Sequence, residues 1–337
     1  MEKKIRVAVD AMGGDYAPSE IVKGAVSAGV SDTGIRIILV GKEKVIKKEL
    51  AQFSQEQVEV EIQNASEVVD MDDPASWSIK RKRDSSIAVA ATLVKEKKAD
   101  ACVSAGNTGA VTSASLLLMG RLPGLSRPAI GIRVPAATKS VFLLDVGATA
   151  DCKPKNLLQF AKMAHIYLEK VIGVKNPSVG ILSIGEEKGK GNELIRGAYG
   201  LLEKSGLNFI GNIEGRDIPE GKSDIVVCDG FTGNVALKLM EGVVHLLFGE
   251  LKKTIQNSFM GQLGGVLLKP KLKELKKQLD HEEYGGAPLL GVDGVCVICH
   301  GSSKAKAVKN AVRAAAKTVR ENVTAAITAE IGKEGKD

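Results

Sequence analysis

Val227-Cys228-Asp229-Gly230-Phe231-Thr232-Gly233-Asn234-Val235 is a short apolar run that ends on an acid and a glycine turn. Ile225 to Val227 reads as a strand, and the stretch from Asn234 to about Leu251 reads as a helix. Strand, glycine turn and helix in that order leave bare backbone N–H groups and a helix N-terminus beside a ligand, where anionic groups are well held. The chain carries this unit twice. Asp100 to Val111, which contains Ser104-Ala105-Gly106-Asn107-Thr108-Gly109, aligns with Asp224 to Val235 at a constant offset of 124 positions, with Asp, Val, Gly, Thr, Gly and Val in step. Any α/β chain repeats some of this turn chemistry. The stronger reading is two facing turns that share one anionic ligand.

The same transition recurs along the chain. Ile5 to Val9 runs into Asp10-Ala11-Met12-Gly13-Gly14-Asp15, and Val141 to Leu144 into Asp145-Val146-Gly147-Ala148. Val179 to Ile184 leads to Gly185-Glu186-Glu187-Lys188-Gly189-Lys190-Gly191-Asn192, and Val295 to Cys299 to His300-Gly301-Ser302-Ser303. Strands that alternate with helices of 10–18 residues imply right-handed crossovers. The expected fold is α/β: one domain over 1–337, with a mainly parallel central sheet and helices on both faces. Ligands bind at the carboxyl ends of such strands. Asp10, Ser104, Asp145, Gly185, Asp229 and His300 are therefore expected to converge on one cleft.

Composition narrows the class. Hydrophobic residues make up 44% and suffice for a sizeable core, whereas 4% aromatics and 37 glycines suit tight turns better than a nucleic-acid stacking surface. A net charge of +7 favours acidic partners. No apolar run reaches the roughly 20 residues of a membrane span, and no signal peptide is visible at Met1-Glu2-Lys3-Lys4-Ile5. Five dispersed cysteines fit a reducing cytoplasm. No G-x-G-x-x-G follows a strand, and Gly185 to Lys190 falls one residue short of a P-loop. Cys296-Val297-Ile298-Cys299-His300 matches a haem-attachment pattern in letters, but strand alternation sends the two cysteines to opposite faces. No metal and no cofactor are expected.

DAMGGD at 10–15, SAGNTGA at 104–110, DVGA at 145–148, KGNE at 190–193, DGFTGNV at 229–235, YGG at 284–286 and HGSS at 300–303 together resemble the bacterial phosphate acyltransferase family of glycerophospholipid synthesis. The likeness runs nearly the whole length without a large insertion. Two stretches depart from the family pattern: Pro74-Ala75-Ser76-Trp77-Ser78-Ile79-Lys80, and Cys299 before His300. The resemblance implies transfer of an acyl group from acyl carrier protein to inorganic phosphate, giving acyl phosphate. It also implies a fold similar to phosphotransacetylases and isocitrate or isopropylmalate dehydrogenases, a homodimer, and peripheral association with the inner face of the cell membrane. A downstream glycerol-phosphate acyltransferase is a candidate partner.

The residues supply what such chemistry needs. Phosphate, an anion at neutral pH, must be stripped of water and placed within ~3–3.5 Å of a thioester carbonyl, and the oxyanion must be stabilised. The candidate phosphate- and substrate-binding set is Gly13, Gly14, Ser104, Asn107, Thr108, Gly109, Asn192, Asp229, Thr232 and Gly233. Lys190, between Gly189 and Gly191, suits charge compensation; Asn234 suits donation to the oxyanion; His300 suits donation to the departing thiolate. Asp10, Asp15 and Asp229 would repel phosphate and read as caps of turns or orienters of Lys190. No activated Ser or Cys is evident, so direct transfer is expected. Two alternatives remain: a phosphotransacetylase-like enzyme acting on coenzyme A esters, and a non-enzymatic basic scaffold at a membrane surface.

A helical excursion is expected near 251–283. Gly261, Gly264 and Gly265 should end one helix and Pro270 open the next. Leu268, Leu272, Leu275 and Leu279 then share one face, with Lys269, Lys271, Lys273, Lys276 and Lys277 around it. Such a basic amphipathic helix suits an anionic membrane surface; periodicity alone equally suits packing on a dimer partner or the core.

Overall fold

The computed structural model describes residues 4–53, 58–278 and 285–333, with backbone alone for 276–278. Its strands are β1 (Ile5–Asp10), β2 (Ile35–Gly41), β3 (Val60–Asn64), β4 (Ala101–Ser104), β5 (Ala129–Pro135), β6 (Ser140–Leu144), β7 (Val179–Leu182), β8 (Phe209–Ile213), β9 (Ile225–Val227), β10 (Ala287–Leu290) and β11 (Val295–Ile298). They form one sheet in the order β3-β2-β1-β4-β11-β10-β5-β6-β9-β7-β8. Seven of the ten pairings are parallel, as the alternation of strands and helices requires. The other three, β11–β10, β10–β5 and β5–β6, are antiparallel and adjoin one another in the middle of the sheet. Strands of the first half and strands of the second therefore run in opposite senses.

The helices are α1 (Ser19–Ser31), α2 (Glu43–Leu50), α3 (Ala75–Arg81), α4 (Ser86–Lys95), α5 (Thr108–Ala114), α6 (Pro154–Tyr167), α7 (Glu193–Glu203), α8 (Asp217–Glu220), α9 (Gly230–Gln256), α10 (Phe259–Gln278), α11 (Ala305–Arg320) and α12 (Val323–Lys333). α5 and α6 each run on into a π-helical turn. Central strands buried on both faces need apolar residues throughout, which is why β9 and β11 read as unbroken apolar runs. α1 and α11 cover one face of the first half through Ile21, Val22, Val308 and Val312. α4 and α5 cover the other with Ile87, Ala91, Ala110 and Val111. Alternation also holds at β11: Cys296 joins the core on the α4–α5 side and Cys299 the core on the α1–α11 side.

Several expectations need correction. α9 starts at Gly230 rather than Asn234, because Asp229 caps it, and it continues to Gln256. The excursion breaks at Asn257 and Ser258, not at the glycines, and Gly261, Gly264, Gly265 and Pro270 all lie inside α10. Close packing explains two of them. A Cβ on Gly261 would meet the Ile255 carbonyl oxygen at 2.6 Å, and one on Gly265 the Ile255 side chain at 2.5 Å, so these glycines let α10 fold back on α9. β10 was hidden by Pro288, a residue that argues against a central strand. α11 and α12 are separated at Asn322, with φ +51.

Candidate functional site

The first group of turns gathers at the carboxyl ends of β1, β4 and β11. Asp10 is buried, and its Oδ2 accepts a 2.7 Å bond from Ser104 Oγ while Oδ1 accepts from Met12 N–H at 3.2 Å. Burial pushes the Asp10 carboxyl above its ordinary range, against the lowering pull of bonds from Ser86, Ser104, Met12 and Gly13. Ser104 Oγ also accepts from Gly106 N–H at 3.0 Å. A Cβ on Gly13 would meet Asp10 Oδ2 at 2.6 Å and Gly106 N at 2.8 Å, so this glycine lets the β1 and β4 turns touch. The third turn joins through Asp15 N–H, which donates to the Gly301 carbonyl at 2.9 Å. The expected orienting role of Asp10 therefore fits its contacts.

Those contacts leave little of the first turn for a ligand. Ser104 is 1% exposed and its one proton goes to Asp10. Asn107 caps α5 by accepting from Ala110 N–H at 2.9 Å, and its Nδ2 donates to the Met71 carbonyl at 2.6 Å. Against the expectation that Ser104 and Asn107 hold phosphate, both side chains are consumed in holding the turn. The exposed Thr108 hydroxyl and the first backbone N–H groups of α5, at Thr108 and Gly109, remain. At the end of β11, His300 Nδ1 meets Ser302 Oγ at 2.7 Å and accepts from Ser302 N–H at 3.3 Å.

The second group lies at the carboxyl ends of β6, β7 and β9, and Asp145 is its hub. Fully buried, Asp145 accepts from the backbone N–H groups of Ile130, Gly147, Ala148 and Thr149 at 2.7–3.1 Å. Burial raises its carboxyl despite those four bonds. The sequence showed Asp145 only as another strand-end acid; nothing in DVGA announces four amide donors. α9 then sits directly on this turn. Gly230 N–H donates to the Thr149 carbonyl at 2.8 Å, and a Cβ on Gly233 would overlap the Asp145 carbonyl oxygen. Gly233 is there for the close approach.

Asp229 caps α9 from Thr232 N–H at 2.9 Å and Thr232 Oγ1 at 2.7 Å. Thr232 thus spends its proton on Asp229, and only its lone pairs could face a ligand. Asn192 likewise caps α7 from Ile195 N–H at 3.0 Å. Two side chains are different. Asn234 is exposed on the first turn of α9 beside Gly147, from whose Cβ position its Nδ2 would lie 3.7 Å away. Lys190 rests its stem on Gly185, and its ammonium has no ion pair among the described residues. Its neighbours are neutralised: Lys188 by Glu203 at 2.7 Å, Lys222 by Glu186 at 2.6 Å.

The nearby thiols are poor nucleophiles. Burial, then Asp145 and Asp229, push Cys152 up to about 12, and the same causes hold the buried Cys228 well above its ordinary range.

In fold the chain is similar to phosphotransacetylases. A phosphotransacetylase from Streptococcus pyogenes matches with a TM-score of 0.62 at 16% identity over 95% of both chains. EutD phosphotransacetylase from Staphylococcus aureus matches at 0.61 and 14% over 94% of both. A 4-hydroxythreonine-4-phosphate dehydrogenase from Burkholderia phymatum matches at 0.51, with 15% identity over 94% of this chain and 98% of its own. At these identities the likeness is one of fold. Sequence goes further: the family described as "Fatty acid synthesis protein" matches residues 5–326. A phosphate acyltransferase from Heliobacterium modesticaldum is 53% identical over 97% of this chain and 98% of its own, and one from Dictyoglomus turgidum 50% over 98% of both. The chain belongs to this family of bacterial phosphate acyltransferases.

Proposed function

We propose that the protein transfers a fatty acyl group from acylated acyl carrier protein to inorganic phosphate, releasing acyl phosphate for phospholipid synthesis. The observation that carries this reading is that Lys190, without an ion pair among the described residues, and the exposed amide of Asn234 follow the adjacent strands β7 and β9, while Asp145, Asp229 and Thr232 bond within their own turns. Lys190 holds the phosphate charge and Asn234 Nδ2 donates to the thioester oxygen as it becomes an oxyanion. A phosphate oxygen forms the new bond to the carbonyl carbon, the C–S bond breaks, and His300 Nε2 donates to the leaving thiolate. The raised thiols of Cys152 and Cys228 favour this direct route over an acyl-enzyme.

Sheet twist supports a single cleft built from both groups of turns. Five steps separate β4 from β9, and a twist of roughly 20–25° per step turns one against the other by about 100–125°. Added to their reversed sense, this leaves the two carboxyl ends pointing about 55–80° apart. On this reading they lean toward a common side, and Thr108, Gly109 and His300 would face the substrate held by Lys190 and Asn234.

The α9–α10 arm fits the expected homodimer and membrane contact. Val235, Leu239, Val243 and Leu246 form an exposed stripe along α9 that a second copy would cover. Near the hairpin tip Phe259, Met260, Leu263, Val266, Leu267 and Leu268 are 54–81% exposed, which suits an anionic lipid surface. This apolar region lies N-terminal to the stripe expected around Leu268, Leu272 and Leu275. Lys269, Lys271 and Lys273 are exposed beside it, Leu272 is half-buried, and Leu279 and the side chain of Lys276 lie outside the described residues. No helix among the described residues is long and apolar enough to cross a membrane. Peripheral association from the cytoplasmic side, near a glycerol-phosphate acyltransferase that takes the acyl phosphate, follows from this reading.

The test is to supply phosphate with an acylated carrier or the matching coenzyme A ester and trap acyl phosphate with hydroxylamine. Product from the carrier is expected. Product from coenzyme A esters alone would make the enzyme phosphotransacetylase-like, and none from either would leave the basic scaffold.

A further inference from the structure

We propose that the outward face of α11 is the docking surface for an acidic face of the acylated carrier; this rests on the carrier being the acyl donor. α11 reads AKAVKNAVRAAAKTVR, without an acid in its 16 residues. Ala307, Val308, Ala311, Val312, Ala315 and Ala316 are buried inward. Lys306, Lys309, Arg313 and Lys317 follow at 3-4-4 spacing on the other side, a stripe about 16 Å long.

The described acids of α1 that lie nearest are engaged elsewhere. Glu20 of α1 is occupied by the Ala305 N–H at 2.7 Å, Asp32 is paired with Arg320 at 2.8 Å, and exposed Lys23 of α1 adds another cation. Lys309, Arg313 and Lys317 have no ion pair among the described residues. The stripe starts three residues after Ser303 of the His300–Ser303 turn, so a partner lying along it ends at the first group of turns. None of the large apolar side chains of α11 is exposed, whereas those a bilayer would take up are on the α9–α10 arm. A second copy would present the same charge and be repelled. An acidic protein surface is what this face complements.

The experiment measures acyl phosphate formation against carrier concentration for the parent and for Lys309→Glu/Arg313→Glu/Lys317→Glu. The reversal should raise the KM for carrier at least tenfold at low salt. The KM for phosphate and kcat at saturating carrier should stay within twofold, and the rise of carrier KM with salt seen in the parent should flatten. A melting curve checks folding, and Arg313→Ala, read on the same KM, serves if the triple variant is unstable. An unchanged carrier KM in a folded variant overturns the proposal and leaves the reaction standing. So does a variant that loses only its sedimentation with anionic vesicles, which would assign the face to lipid. If the parent makes no acyl phosphate from carrier, the reaction reading fails, and the docking surface with it.

Discussion

The turns at 104–109 and 228–234 are two copies of one sequence pattern put to different uses. Even their entries match: Asp100 accepts from the Arg6 N–H and Asp224 from the Ser178 N–H, both at 2.8 Å, each tying its strand to a neighbour. Beyond the strand they diverge. In the first copy the hydroxyl and amide side chains are spent on Asp10, Met71 and the α5 cap. In the second, buried Asp145 gathers backbone amides instead, and the residue aligned with Ala110 is an exposed Asn234. A shared motif therefore does not mean a shared role. On the reading proposed above, the chemistry falls to the copy that carries the exposed amide of Asn234.

Substitution can sharpen that contrast, and the largest effect is expected at the second copy. Asn234→Asp swaps a donor for an acceptor beside phosphate and should lower turnover by ~10²–10³, with the melting temperature unchanged. Lys190→Met should both slow turnover and weaken phosphate saturation, measured as a higher KM for phosphate. Activity within threefold of the parent in a folded Asn234→Asp would remove Asn234 from the site.

The paired glycines come next. Gly233→Ala drives a Cβ into the Asp145 carbonyl and should cost about 1–3 kcal/mol, read from denaturant unfolding. Gly109→Ala meets two side-chain atoms, the Ala75 methyl at 2.9 Å and Asn107 Oδ1 at 3.3 Å, rather than backbone, and should cost less. Equal losses would mean that the two helices meet their turns alike.

How much of this was legible in the sequence follows from where each signal is local. Glycine turns after apolar runs are local, so the parallel strands, the 124-residue repeat and the Asp229 cap could be read directly. Commitment of a side chain is not local. Nothing in SAGNTGA shows that Ser104 faces an acid 94 residues away, and nothing in GVLLKP shows that Gly265 packs on Ile255. The reversal of the sheet between β11 and β6 depends on β10, whose Pro288 masks a strand. Lys190 and Asn234 are proposed because their chemistry suits the reaction; that Lys190 has no ion pair among the described residues and that Asn234 is exposed are structural facts.

The smallest effect should come from Asp10. Its carboxyl is raised by burial, so the folded chain binds that proton more tightly than the unfolded one. The stabilisation is fully present below the unfolded pKa near 4 and is lost as pH rises through the folded value. The melting temperature of the parent relative to Asp10→Asn should therefore fall from about pH 4 toward neutrality. A difference that grows with pH would mean that Asp10 is held ionised.

The division of labour between the two turns is tested most directly by melting and turnover in Ser104→Ala and Asn234→Ala. Ser104→Ala takes the hydroxyl donor from a buried carboxylate and should lose about 1–3 kcal/mol of stability, while turnover per folded molecule stays near that of the parent. Asn234→Ala should melt with the parent and lose most of its turnover. The opposite pattern, with activity lost at Ser104 and only stability at Asn234, would contradict the account and move the chemistry to the first turn.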